Sequence, residues 1–261
     1  MQKYFSTKFI LKFAIITLVI FSAYSCNDEP TASNLTINPS DKYSLIWSDD
    51  FNGTTLDTTK WEYRYLGPRL EAINVKEAVS LDGSGHLIIK TYTDGTNYYT
   101  GMIGTQNKFE SKFGYWECRM KVQKQQGHWC AFWLQSPTIG SVIGNPGFSG
   151  TEINIMEYAT LLGSSVEHAI HWDGYDQNEK IDRSITAVQG LNDSYQTFGL
   201  EWTQNEYIFY VNRKETWRTS KAISFQPEYI VLSMEVDDWA GDISQAALPD
   251  SLFVDYVRVF K

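Results

Sequence analysis

Short runs that alternate apolar and polar residues recur along this chain, and helical periodicity is nearly absent. Read as strands, these runs cover residues 86–92, 109–122, 129–134, 152–159, 166–172, 197–202, 207–211, 229–236 and 252–260. Turn clusters separate them, among them Asp82-Gly83-Ser84-Gly85, Asp94-Gly95 and Asn145-Pro146-Gly147. In the last run Phe253, Asp255, Val257 and Val259 share one face. Many strands with no helices between them predict an all-β fold of antiparallel sheets packed as a sandwich. Neither a repeat nor a second domain is visible. Residues 137–150 are Gly-rich and lie just ahead of the run at 152–159, placed to rim a cleft. A second long loop is expected over residues 174–193.

The first 25 residues have the form of a leader, with Lys3, Lys8 and Lys12 ahead of an apolar stretch over residues 13–21. That stretch is too short to span a bilayer as a stable helix. Ala23-Tyr24-Ser25-Cys26 ends in a lone cysteine after small residues, which resembles a bacterial lipoprotein signal with Cys26 lipidated. Tyr24 is bulkier than usual there, and ordinary secretion is the other reading. Asn27-Asp28-Glu29 resembles the surface-export tag of some outer-membrane lipoproteins. A tether of Ser, Thr, Asn and Pro over residues 26–40 leads into the folded part, expected over residues 41–261. The expected location is the outer membrane or cell surface, with a secreted or periplasmic protein as the alternative.

A folded part of roughly 220 residues suits one all-β domain better than two small ones. Removing the three leader lysines takes the net charge from −9 to about −12. That charge excludes nucleic acid as a natural partner and confines any membrane contact to a lipid anchor. A neutral sugar polymer is compatible with it, and a monomer is expected. Nine Trp and sixteen Tyr supply both a large core and platforms that can stack on sugar rings. Apart from Cys26, the cysteines are Cys118 and Cys130, each in a strand run. They read as a disulfide or as two buried free thiols, and no Cys/His spacing suggests zinc.

Glu152-Ile153-Asn154-Ile155-Met156-Glu157 carries the chemistry. Residues two apart in a strand share a face, so Glu152 and Asn154 point together and Glu157 falls on the opposite parity. One extra residue, a β-bulge at Met156, returns Glu157 to their face. The apolar Ile153, Ile155 and Met156 mark the other face as buried. Two carboxyls converging on one face are the equipment of glycoside hydrolysis.

The same residues resemble the signature of glycoside hydrolase family 16, whose usual form is Glu-Ile-Asp-Ile-Met-Glu. The spacing is that of its bulged branch of laminarinases, agarases and carrageenases. Other segments agree in order: Ser48 to Gly53 with Trp61, Phe113-Gly114-Tyr115-Trp116-Glu117-Cys118-Arg119, Gly127 to Leu134, Phe198 to Trp202 and Val254 to Arg258. The likeness covers about residues 45–261. It implies a concanavalin-like β-jelly-roll sandwich of two antiparallel sheets with a concave substrate cleft. It also implies a retaining endo-acting β-glycanase with Glu152 as nucleophile and Glu157 as general acid/base. The implied substrate is a β-1,3- or mixed-linked glucan by default, with galactans and host O-glycans as competitors.

Asn154 stands where the family has Asp. An amide can still donate to Glu152, but it brings no charge to raise the proton affinity of Glu157. A glycan-binding protein with a weakened site is therefore the alternative reading. By the same resemblance Trp129, Trp133 and His171 bind substrate, with Asn74 and Trp239 as weaker cleft residues. His168 has the opposite parity and is expected outside the cleft, and His128 has no role. No cofactor is implied for catalysis. Asp255 resembles a ligand of a structural calcium, completed by backbone carbonyls near Gly85, with a plain surface aspartate as the other reading.

Overall fold

The structure, a computed structural model, describes residues 38–175 and 177–261. The leader, Cys26 and the tether up to residue 37 lie outside the described residues. In chain order the strands are β1 (Leu45–Asp49), β2 (Glu62–Tyr63), β3 (Gly67–Arg69), β4 (Ala72–Asn74), β5 (Val79–Leu81), β6 (Leu87–Thr93), β7 (Tyr98–Thr100), β8 (Met102–Gly104), β9 (Glu110–Ser111) and β10 (Gly114–Lys121). They continue with β11 (His128–Gln135), β12 (Glu152–Ala159), β13 (Ser165–Trp172), β14 (Lys180–Ala187), β15 (Gln196–Trp202), β16 (Tyr207–Val211), β17 (Lys214–Thr219), β18 (Glu228–Val236) and β19 (Asp250–Phe260).

Two sheets form the expected jelly-roll sandwich. One runs β17-β16-β15-β10-β19-β6-β7-β4-β3, with β1 on β19 and β5 on β6. The other runs β14-β13-β12-β11-β18-β8-β2, with β9 on β18. Every pairing is antiparallel except β4 with β7.

Alternation decides which side chains fill the space between the sheets. On β11, Cys130, Phe132 and Leu134 enter the main core, while Trp129, Ala131 and Trp133 face the other way. Trp61, Trp116 and Trp202 are fully buried in that core. Each removes on the order of 4–6 kcal/mol of apolar surface from water, an upper figure. The indole N–H groups of Trp116 and Trp202 have no partner, which returns about 1–3 kcal/mol apiece. Burial therefore wins at both positions.

The run expected over residues 109–122 is broken into β9 and β10 by left-handed backbone at Phe113 (φ 60°) and Gly114 (φ 104°). A Cβ on Gly114 would lie 2.2 Å from the Phe260 carbonyl oxygen, so only glycine lets β10 and β19 close at this point. The loop expected over residues 174–193 holds a full strand, β14. Its polar, half-exposed pattern hides it, because β14 is the edge of its sheet and only one neighbour demands apolar contacts.

Cys118 and Cys130 are free, fully buried thiols on facing sheets, and burial pushes both well above the usual thiol range. At Asp255 the Arg119 guanidinium pairs with the carboxylate. Among the described residues no group of three or more His, Cys, Asp or Glu is gathered to hold a metal.

Candidate active site

The site is built on β12, an inner strand held by β11 on one side and β13 on the other. Against β11, Phe132 pairs with Met156 and Trp133 with Asn154, so Ile155 has no opposite number. Against β13 the register also slips between Asn154 and Glu157. The bulge is therefore present and centred on Ile155–Met156, one residue earlier than Met156 alone. Both of these residues are fully buried in the main core, which two neighbours on a regular strand cannot be. Buried His168 on β13 fixes the kink: its ring Nδ1 lies 2.7 Å from the Ile155 carbonyl oxygen and donates to it. Nε2 faces the Thr216 hydroxyl at 3.1 Å. Burial holds the His168 pKa down to about 4, so the ring is neutral and Nδ1 carries the proton. His168 thus stands outside the cleft, as its parity predicts.

The start of β12 is fixed as firmly. Gly150 has φ 75°, and a Cβ there would meet the Ser136 Oγ at 2.1 Å. Thr151 then donates its backbone N–H (3.0 Å) and hydroxyl (2.9 Å) to Glu228, a fully buried carboxyl on β18. Burial raises the Glu228 pKa to about 8.

On the cleft face one amide ties the carboxyls together. Asn154 Nδ2 donates to Glu152 Oε1 at 3.3 Å and to Glu157 Oε2 at 2.9 Å. Two bonds to one nitrogen keep those oxygens within about 6 Å of each other, short of the roughly 6.5–9.5 Å that inverting enzymes leave for a water. Burial lifts Glu157 to about 8, helped by the charges of Glu152, Glu167 and Glu235 and opposed by the Trp129 indole. A carboxylate at position 154 is thus not needed to keep a proton on Glu157. Burial also raises Glu152, while His171, the Tyr175 hydroxyl and Asn154 pull it down. The two carboxyls are therefore set apart by their surroundings, Glu157 pushed up to about 8 and Glu152 raised by burial but drawn down by three neighbouring groups.

The structure brings most expected residues to this face. His171 pairs directly with Glu152 across β12 and β13 and is held by Glu179 at 2.8 Å. Trp133 pairs with Asn154, and its indole N–H donates to Ser233 at 3.1 Å. Trp129 lies two residues from Ala131, the partner of Glu157, and packs on Trp239 with ring centroids 4.9 Å apart. Trp239 is the exposed member of that pair, at 45%. Asn74 sits on β4, 1% exposed, with neither amide atom bonded, and no hydrogen bond ties it to the carboxyls. His128, for which no role is expected, is the buried first residue of β11 with Nε2 3.3 Å from Asp250.

Sequence reasoning missed several cleft residues. Glu235 on β18 pairs across from Trp129 and is bonded by Arg69 at 2.5 Å. Period-two alternation in the run 229–236 places Glu235 with Tyr229 on this face and was signal enough. Tyr175 gave no signal, because it comes from an irregular loop. Its hydroxyl donates to Glu152 Oε2 at 2.5 Å.

A β-sandwich whose sheet presents two buried carboxyls beside tryptophans has the equipment of glycoside hydrolysis. The chain belongs to the glycosyl hydrolases family 16, whose model matches residues 67–258. It is 29% identical to a glucan endo-1,3-beta-glucosidase A1 of Niallia circulans, over 84% of this chain and 38% of that protein. It is also 29% identical to a keratan-sulfate endo-1,4-beta-galactosidase of Sphingobacterium multivorum, over 98% of this chain and 68% of that one. The laminarinase catalytic domain of Thermotoga maritima MSB8 superposes with a TM-score of 0.70 at 25% identity, covering 84% of this chain and 98% of that one. Family enzymes of this kind use no cofactor for the cleavage itself.

Proposed function

We propose that the protein is an endo-acting β-glycanase that cleaves its polysaccharide with retention by double displacement. The observation that carries this reading is the single Asn154 amide bridging Glu152 and Glu157, which keeps the carboxyls in the close spacing a covalent mechanism uses. In the first step Glu152 attacks the anomeric carbon as the glycosidic bond breaks, and the proton of Glu157 passes to the leaving oxygen. In the second step Glu157, now ionised, takes a proton from water. The hydroxide attacks the anomeric carbon and Glu152 leaves as carboxylate.

β-1,3- or mixed-linked glucan is the first substrate to test, supported by the name of the Niallia circulans relative. Galactans, supported by the name of the Sphingobacterium multivorum relative, and O-glycans are the competitors. The net charge of −9 disfavours heavily sulfated polymers. The protein acts as a monomer held at the outer membrane or cell surface through lipid on Cys26, a reading supported by the leader and testable by labelling cells with a fatty-acid analogue.

The test of function is product release from laminarin, lichenan, agarose and mucin glycans by wild type and Glu152→Ala, with the anomer of the first product read by proton NMR. Release of β-anomer that vanishes in Glu152→Ala is expected. Release of α-anomer refutes retention, and no release from any substrate refutes the glycanase.

A further inference from the structure

The geometry points to Tyr175 as the positioning residue for the nucleophile, at the end of a hydrogen-bonded relay that begins at Arg64. This inference rests on the glycanase reading above. The relay is directional at every link. Arg64 Nη2 donates to the Tyr229 hydroxyl at 3.1 Å. Tyr229 donates to Gln135 Oε1, and Gln135 Nε2 donates to the Tyr175 hydroxyl. Tyr175 donates to Glu152 Oε2 at 2.5 Å. Each group uses one partner as donor and the other as acceptor, so no link can reverse without breaking a neighbour. A fixed positive charge stands at one end and a carboxylate at the other, and each intervening dipole points the same way.

Glu152 therefore has unequal oxygens. Oε2 takes the short bond from Tyr175, whereas Oε1 takes only the longer one from Asn154 at 3.3 Å. Oε1 is the freer oxygen and forms the bond to the anomeric carbon. Oε2 becomes the carbonyl oxygen of the glycosyl ester, with the phenol still on it. When the ester breaks, negative charge returns to a carboxylate that already has a donor in place.

Asn154 explains why such a donor matters here. One amide group is shared between two glutamates, so its hold on Glu152 is the weaker of its two bonds. The phenol supplies what the amide cannot. The other groups facing Glu152 are His171, which favours its charge, and Glu179, which opposes it. Glu157, Glu228 and Glu235 lie near enough for its charge to act on them. Against four carboxyls, the neutral donors and His171 decide which form Glu152 adopts.

Tyr175→Phe removes the hydroxyl and keeps the ring, which is half exposed and carries no core packing. The experiment is a titration of Glu152 by carbon NMR in protein labelled at the glutamate side-chain carboxyl, with Glu152→Gln assigning the signal. The midpoint is expected to rise by about one to two pH units in Tyr175→Phe, as the loss of one bond to a charged acceptor predicts. On the substrate found for the wild type, the acid limb of kcat/KM should move up with it, and the loss should fall on kcat rather than KM. A midpoint that stays put overturns the proposal. A wild type that cleaves nothing sinks the glycanase reading instead, and the titration still decides the role of Tyr175.

Discussion

Asn154→Asp puts a carboxylate where one neutral amide now bridges two glutamates. The new oxygen would stand where Asn154 Nδ2 lies, 2.9 Å from Glu157 Oε2. Charge centres would then be about 4 Å apart, where two like charges repel by about 4 kcal/mol at an effective dielectric constant of 20. That is a ceiling of about three pH units on the proton affinity of Glu157. The bridge would also be lost, because an ionised carboxylate has no proton to donate to either neighbour. In the wild type the alkaline limb of kcat/KM should fall near pH 8, where Glu157 gives up its proton. In Asn154→Asp this limb is expected to move up by about one to three units, with the acid limb following, since Glu152 feels the same charge. A proton shared among the three carboxyls gives the same upward displacement, because the trio titrates together. The assay is kcat/KM from pH 4 to 10 by reducing-end release, with both proteins on one substrate. An alkaline midpoint that is unmoved, or lower, refutes the electrostatic reasoning.

Two predictions concern stability. His168→Ala leaves the Ile155 carbonyl without its donor and opens a cavity beside it, so unfolding in urea should show a loss of about 2–4 kcal/mol. Unchanged stability would mean that the bulge needs no clamp. Glu228 is protonated in the fold up to about pH 8, against 4.5 when free, so the folded state binds more protons between those values. Its contribution is complete below pH 4.5 and drains away as pH rises through 8. Glu228→Gln should therefore flatten the fall in Tm between pH 5 and 8, and an equally steep fall in the variant would count against a protonated Glu228.

Parity made the carboxyl pair legible. Six residues were enough to require a bulge, and the structure has one at Ile155–Met156. The tryptophans of β11 and His171 of β13 were legible for the same reason, since period two assigns a face without any tertiary knowledge. Position along the strand was not: which of two buried apolar residues is extra depends on what fills the gap beneath them, here His168. The relay was invisible because Arg64, Gln135, Tyr175 and Tyr229 come from four separate segments. Local pattern carries no information about such convergence. The Arg119 partner of Asp255 was likewise invisible, since a motif position shows which oxygen is offered but not what stands beside it.

The bulge makes β12 behave like a message with a shifted reading frame. Upstream of Ile155 the even-numbered positions face the cleft, and downstream the odd-numbered ones do. Deleting one residue at that point would restore plain alternation without touching either glutamate. Glu157 would then stand four positions after Glu152 on an unbroken strand and stay on its face, with Asn154 between them. A lineage can therefore drop the extra residue and keep both carboxyls on the same side, losing only the backbone kink that His168 now holds.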